Sequence, residues 1–115
     1  MRVFSMGFEV SFLERRNHLL QEAGYEVVSA RTIEEARNLC VQDFDAAVFG
    51  HLLPVALRDE IVTCIRQANP AVKIVMMYHG KIEKAEKADA LLSVGDPQRL
   101  VDTIAMLLQR NAAAS

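Results

Sequence analysis

The stretch that most constrains the fold is residues 44–54, FDAAVFGHLLP. Ala46–Phe49 is a short run of apolar side chains, with Asp45 before it and Gly50 and Pro54 after it. Its length and punctuation fit a strand buried on both faces, as in the middle of a parallel sheet. In an open α/β sheet, ligands bind outside the carboxyl ends of the central strands. The chemistry is therefore expected near Gly50 and His51, and Gly50 has no side chain to perform any.

The rest of the chain supplies the neighbours that such a strand needs. RVFSM (Arg2–Met6), EVVSA (Glu26–Ala30) and KIVMM (residues 73–77) read as further strands, and residues 90–92 as a weak fifth. Ser11 and Glu14 have capping-box spacing, which predicts a helix through residue 23 with Phe12, Leu13, Leu19 and Leu20 as its apolar residues. Gly24 follows at the position where a positive φ costs little. Thr32 and Glu35 repeat the capping spacing ahead of Ile33, Ala36, Leu39 and Cys40. A third helix is expected over residues 57–68 with Ile61, Val62 and Ile65 inward, stopped by Asn69-Pro70. Residues 81–88 read as a short charged helix. Asp96-Pro97 starts a last helix that runs to about residue 110, with Leu100, Val101, Ile104, Leu107 and Leu108 buried.

Strand and helix thus alternate with short connections. That pattern argues for an α/β, doubly wound five-stranded parallel sheet with five helices on its two faces. It matches the flavodoxin-like order 2-1-3-4-5 but does not by itself fix it. At 115 residues the chain is read as one domain over residues 1–110, with residues 111–115 a disordered tail or truncated linker. A formal charge of −2 gives no polyanion-binding signature, so nucleic acid is not expected. No apolar stretch is long enough for a bilayer, and no membrane association is expected. Cys40 and Cys64 lack metal-site spacing and are expected to be buried thiols in a reducing cytosol. The expected compartment is the cytoplasm.

Several segments, in order, resemble the receiver domain of bacterial response regulators, the CheY-like family, over residues 2–110. EAGYEVVSA resembles the family's passage from first helix to second strand, and TIEEARNL its second helix. FDAAVFGHLLP resembles the third strand and loop, with Pro54 four residues after the acceptor position. NPAVKIVMM resembles the lead-in to strand four, and DPQRL the start of the fifth helix. The resemblance implies a flavodoxin-like fold and a role in two-component, phosphorelay signal transduction.

The same resemblance places the family's phosphotransfer residues on side chains unable to do that work. The acidic pair that holds a divalent cation falls on Gly7 and Phe8, with Glu9 adjacent, and the phosphoacceptor aspartate falls on Gly50. The hydroxyl residue that ends strand four falls on Tyr78, and the strand-five lysine on Ser93. The aromatic switch position falls on Ala90. Aspartyl phosphorylation needs a carboxylate nucleophile and a metal to offset the transferred charge. The expectation is a degenerate pseudo-receiver that is not an enzyme, needs no cofactor and acts on protein partners without phosphorylation. By resemblance, Lys84, Lys87, Ala90, Arg99 and Asp102 belong to a helix4-strand5-helix5 face used for partners or a homodimer. Taken singly, the lysines also suit a solvated helix with Glu83–Lys87 pairing.

The alternative is a small-ligand or metal-binding activity in the crevice at the ends of strands 1, 3 and 4. Glu9, His51 and His79 are its candidate ligands, since two imidazoles and a carboxylate suit a transition metal. They equally suit ordinary loop positions, and no HxxxH or HxH spacing ties them together. Tyr78 is expected to fill the pocket that the missing acidic groups vacate. Met76 and Met77 are read as core, and Arg15 and Arg16 as a solvated helix face.

Overall fold

Ala46, Ala47, Val48 and Phe49 are all fully buried, because the strand they form has a neighbour on each edge and helices over each face. The computed structural model describes residues 1–79, 88–94 and 97–114. The strands are β1 (Arg2–Met6), β2 (Glu26–Ala30), β3 (Ala46–Phe49), β4 (Lys73–Tyr78) and β5 (Ala90–Ser93). They form one parallel sheet in the order β2-β1-β3-β4-β5. Four helices lie among the described residues: α1 (Val10–Glu22), α2 (Ile33–Leu39), α3 (Val55–Ala68) and α4 (Pro97–Ala114). The expected charged helix at 81–88 falls on 80–87, outside the described residues; Ala88 itself packs against the core.

The period of two along each strand sorts the core into two layers. Phe4, Met6, Ala47, Phe49, Ile74 and Met76 face α2 and α3, where they meet Ala36, Ile61, Val62 and Ile65. The ring of Phe4 lies 5.2 Å from that of Phe44 and 6.0 Å from that of Phe49. Val3, Ala46, Val48, Val75 and Leu92 face the other way, toward Leu20 of α1 and Leu100, Ile104, Leu107 and Leu108 of α4. The register sets Val3 beside Ala46 and Met6 beside Phe49, so the carboxyl ends of β1 and β3 finish level.

Helix ends follow local chemistry, with some departures from the sequence expectation. Glu9, not Ser11, caps α1: its carboxylate accepts from the Ser11 amide at 3.4 Å and the Ser11 hydroxyl at 3.0 Å. Ser11 therefore lies inside the first turn. Gly24 takes φ +97°, as a residue ending a helix requires. Thr32 caps α2 by accepting from the Glu35 amide at 3.2 Å. The third helix starts at Val55 directly after Pro54, ahead of the expected residue 57. Asn69 ends it and donates to the Phe44 carbonyl at 2.6 Å. β4 extends to Tyr78, whose carbonyl accepts from the Val94 amide at 3.0 Å. α4 continues past residue 110 to Ala114, through alanines that favour the helix.

One expectation is overturned on the α2/α3 side. Cys40 and Cys64 are not separate thiols but form a disulfide, with Cα atoms 5.7 Å apart. The cause is the packing of two helices on one face of the sheet. Cys40 ends α2, Cys64 lies midway along α3, and sequence spacing gives no sign that they meet. Nearby, the Arg37 guanidinium donates to both oxygens of Glu60, at 2.6 and 2.9 Å. No helix of the described residues is long and apolar enough to cross a membrane.

Candidate functional site: a crevice over Arg16

The strand order reverses between β1 and β3, since the chain leaves β1 toward one edge and β3 toward the other. Connections diverge there and leave a crevice at the carboxyl ends. Its floor is made by the residues that follow each strand. The Gly7 amide donates to the Ala30 carbonyl at 3.1 Å, and the Gly50 amide to the Met6 carbonyl at 2.9 Å. The crevice has about 70 Å³ of free volume and is lined by Gly7, Phe8, Glu9, Gly50, His51 and Met77, among others.

The side chain that dominates this place is Arg16, which is only 8% exposed. The expectation of a solvated Arg15–Arg16 face is corrected: Arg15 is exposed, while Arg16 shares the buried face of α1 with Leu13 and Leu20. Residues three and four apart lie on one side of a helix, and Leu13, Arg16 and Leu20 follow that spacing. The Arg16 Nε donates to Ser5 Oγ at 3.1 Å, and Nη2 donates to the Met6 carbonyl at 2.8 Å. Ser5 can accept because it alternates with Met6 along β1 and so points to the α1 side, as Val3 does. Both acceptors are neutral, and among the described residues no carboxylate forms an ion pair with Arg16. Burial lowers its pKa to about 10, which still leaves it protonated at neutral pH.

The two glycines leave room for this guanidinium. A Cβ on Gly7 would stand 3.3 Å from Arg16 Nη2, and a Cβ on Gly50 3.5 Å from Nη1. Above them, the His51 ring meets Phe12 edge-on at 5.3 Å and lies 5.8 Å from the ring of His79. Burial, then the neighbouring His79 and Arg16, hold the His51 pKa below the ordinary histidine value. The crevice thus has a cationic floor and an imidazole wall. Phe8, Phe12 and Leu52, all exposed apolar side chains, form its lip.

Solved structures match this arrangement of strands and helices along nearly the whole chain. A CheY-like response regulator receiver domain protein from Methanospirillum hungatei superposes with a TM-score of 0.83 at 22% identity, over 99% of this chain and 98% of that one. The fold is that of a response-regulator receiver domain. The chemotaxis response regulator CheY4 of Vibrio cholerae gives a TM-score of 0.77 at 25% identity, covering 92% of this chain and 97% of its own. The response regulator TrrA of Thermotoga maritima, in complex with Mg(2+)-BeF, gives 0.76 at 21% identity over 92% and 97%. No family model matches the chain, and no curated protein matches it.

Within this receiver fold, the candidate residues read from sequence separate into groups. Gly7, Phe8, Glu9, Gly50 and His51 all line the crevice. Tyr78 and Ser93 pair in register at the ends of β4 and β5, and neither lines it. The expectation that Tyr78 fills the pocket is therefore corrected. Strand alternation turns Met77 to the crevice side of β4 and Tyr78 to the other. Glu9, His51 and His79 do not assemble as a metal centre: the imidazoles approach each other, while Glu9 is engaged with Ser11. Among the described residues no group of three or more His, Cys, Asp or Glu side chains is placed to hold a metal ion. Lys84 and Lys87 lie outside the described residues. Ala90 packs against the α4-side core, and Arg99 and Asp102 are exposed on α4, where Asp102 accepts from Gln98 Nε2 at 3.2 Å.

Proposed function

We propose that this chain is a receiver-like signalling domain whose output is set by protein–protein contact and not by phosphoryl transfer. The observation that carries the reading is Gly50. It follows β3 directly, at the place where the family resemblance puts the acceptor aspartate, and it offers no nucleophilic oxygen. Arg16 supports the reading from the other side of the reaction. A buried guanidinium beside Gly7 and Gly50 repels the divalent cation that acyl phosphate chemistry requires. Without that chemistry, a change of state has to come from a ligand or partner that binds one conformation more tightly than another.

The partner surface in this proposal is the α4–β5 side. Met106 of α4 is 46% exposed and stands at helical spacing from Arg99 and Asp102, which gives that side apolar contact area beside two charges. The partner is a signalling protein or a second copy of the chain.

The test is an amide NMR titration with magnesium and beryllofluoride. The expected result is no shift at Gly7, Gly50 or Ser93. Saturable shifts there, or labelling by acetyl phosphate, would restore phosphotransfer. The cytoplasm is the proposed setting, and a count of free thiols in acid-quenched cells tests it. In a reducing compartment the Cys40–Cys64 disulfide should be open and both thiols alkylated, whereas its persistence in cells would place the chain in an oxidising compartment and overturn the cytoplasmic reading.

A further inference from the structure

We infer that the crevice over Arg16 binds a small organic carboxylate with an apolar body, an aryl carboxylate being the simplest form. The inference rests on the reading above in one respect, namely that no cation or phosphoryl group uses the same floor.

Four observations converge on an anion of this kind. The Arg16 charge is buried without an acidic partner among the described residues, and its hydrogen bonds go to neutral oxygens, Ser5 Oγ and the Met6 carbonyl. Those bonds occupy Nε and one N–H of Nη2, which leaves the Nη1 edge of the fork for a further acceptor. Beside that edge Gly50 has no side chain, and a carbon placed at its Cβ position meets only ordinary contacts, at 3.4 Å or more. A carboxylate oxygen has room there.

The carboxylate already present does not serve. Glu9 lines the crevice but spends its Oε1 on the amide and hydroxyl of Ser11, and it makes no ion pair with Arg16. His51, with His79 beside it, adds donors and no negative charge to the wall. Leaving a charge desolvated and unpaired is costly, whereas a planar carboxylate matches the guanidinium fork and offsets that cost.

The remaining lining sets the body of the ligand. Leu13, Met77 and Leu100 line the crevice within, and Phe12 and Leu52, 49% and 55% exposed, stand at its opening. Apolar walls with one convergent charge favour a ring or short alkyl chain that carries a single acid group.

The experiment is an amide NMR titration of the intact chain with sodium benzoate, repeated with benzamide, its neutral isostere. Benzoate should produce saturable shifts at Gly7, Gly50, His51 and the Arg16 Nε–H, with benzamide weaker by about tenfold or more, as loss of a charge-assisted hydrogen bond predicts. Equal binding of the two, or shifts confined to other surfaces, would overturn the inference. Arg16→Gln should abolish the benzoate response in a folded protein. Should that variant not fold, Gly50→Asp provides the second test, because its own carboxylate takes the Nη1 edge and should block benzoate. Undiminished benzoate binding in either variant counts against the site. A beryllofluoride response in the same sample would remove the pseudo-receiver reading, while the benzoate–benzamide difference judges this site by itself.

Discussion

The two faces of the sheet are built for different purposes. On the α2/α3 face, Phe4, Phe44 and Phe49 pack ring against ring under two helices joined by Cys40–Cys64 and by the Arg37–Glu60 pair. On the α1/α4 face, the apolar layer is interrupted at its carboxyl end by Arg16, which bonds to Ser5 and opens into a crevice. One face is closed and cross-linked. The other keeps a charge where a residue chosen for stability alone would be aliphatic. The proposed anion site accounts for that polar interruption, since a buried cation with only neutral acceptors carries a desolvation cost that an acid group would offset.

The largest test of that contrast is Phe4→Ala. Phe4 is fully buried between two other rings, so its truncation should cost about 3–5 kcal/mol in a denaturant melt. A cost below that of an ordinary surface change would mean the closed face is not the stabilising one. Cys64→Ser should come next. The disulfide joins residues 24 apart in sequence, and its loss should cost about 2–4 kcal/mol, with the same effect when reductant is added to the unaltered protein.

On the open face the sign should reverse. Gly50→Asp places a carboxylate beside Arg16 Nη1, and the backbone tolerates it because Gly50 does not need a positive φ. The variant should gain about 1.5–3 kcal/mol, the range for hydrogen bonds to charged groups. It should still take no label from acetyl phosphate. A loss of stability would show that Arg16 has no unmet electrostatic demand.

The smallest effect is a pH dependence of the open face. The folded pKa of His51 is depressed by burial, by His79 and by Arg16, so between that value and the unfolded one, near 6.5, the unfolded chain binds the extra proton. The melting temperature should fall as pH drops below about 6.5, and His51→Gln should flatten that slope. Identical slopes in the two proteins would place the titrating group elsewhere.

Much of the closed face could be read without a structure. Ile61, Val62 and Ile65 repeat at helical spacing, Thr32 stands three residues before Glu35, and the Ala46–Phe49 run is bounded by Asp45 and Gly50. These are local signals, and each survives in the folded protein. The open face was less legible. Arg16 looks like a surface residue by type, although its position between Leu13 and Leu20 already marks it as inward. Side-chain chemistry suggested one answer and helical period the other, and period was right.

The sequence by itself determined where the strands lie, two of the helix stops, at Gly24 and Asn69, and the absence of an oxygen at Gly50, because these depend on residues a few positions apart. It also determined the alternation from which a five-stranded parallel sheet follows. Only the tertiary structure decided that Arg16 meets Ser5 and the Met6 carbonyl, that Tyr78 turns away from the crevice while Met77 turns toward it, and that Cys40 reaches Cys64. These depend on how helices sit on a twisted sheet and on which neighbour each strand selects. That information is held in packing across distant segments, where local spacing carries none of it.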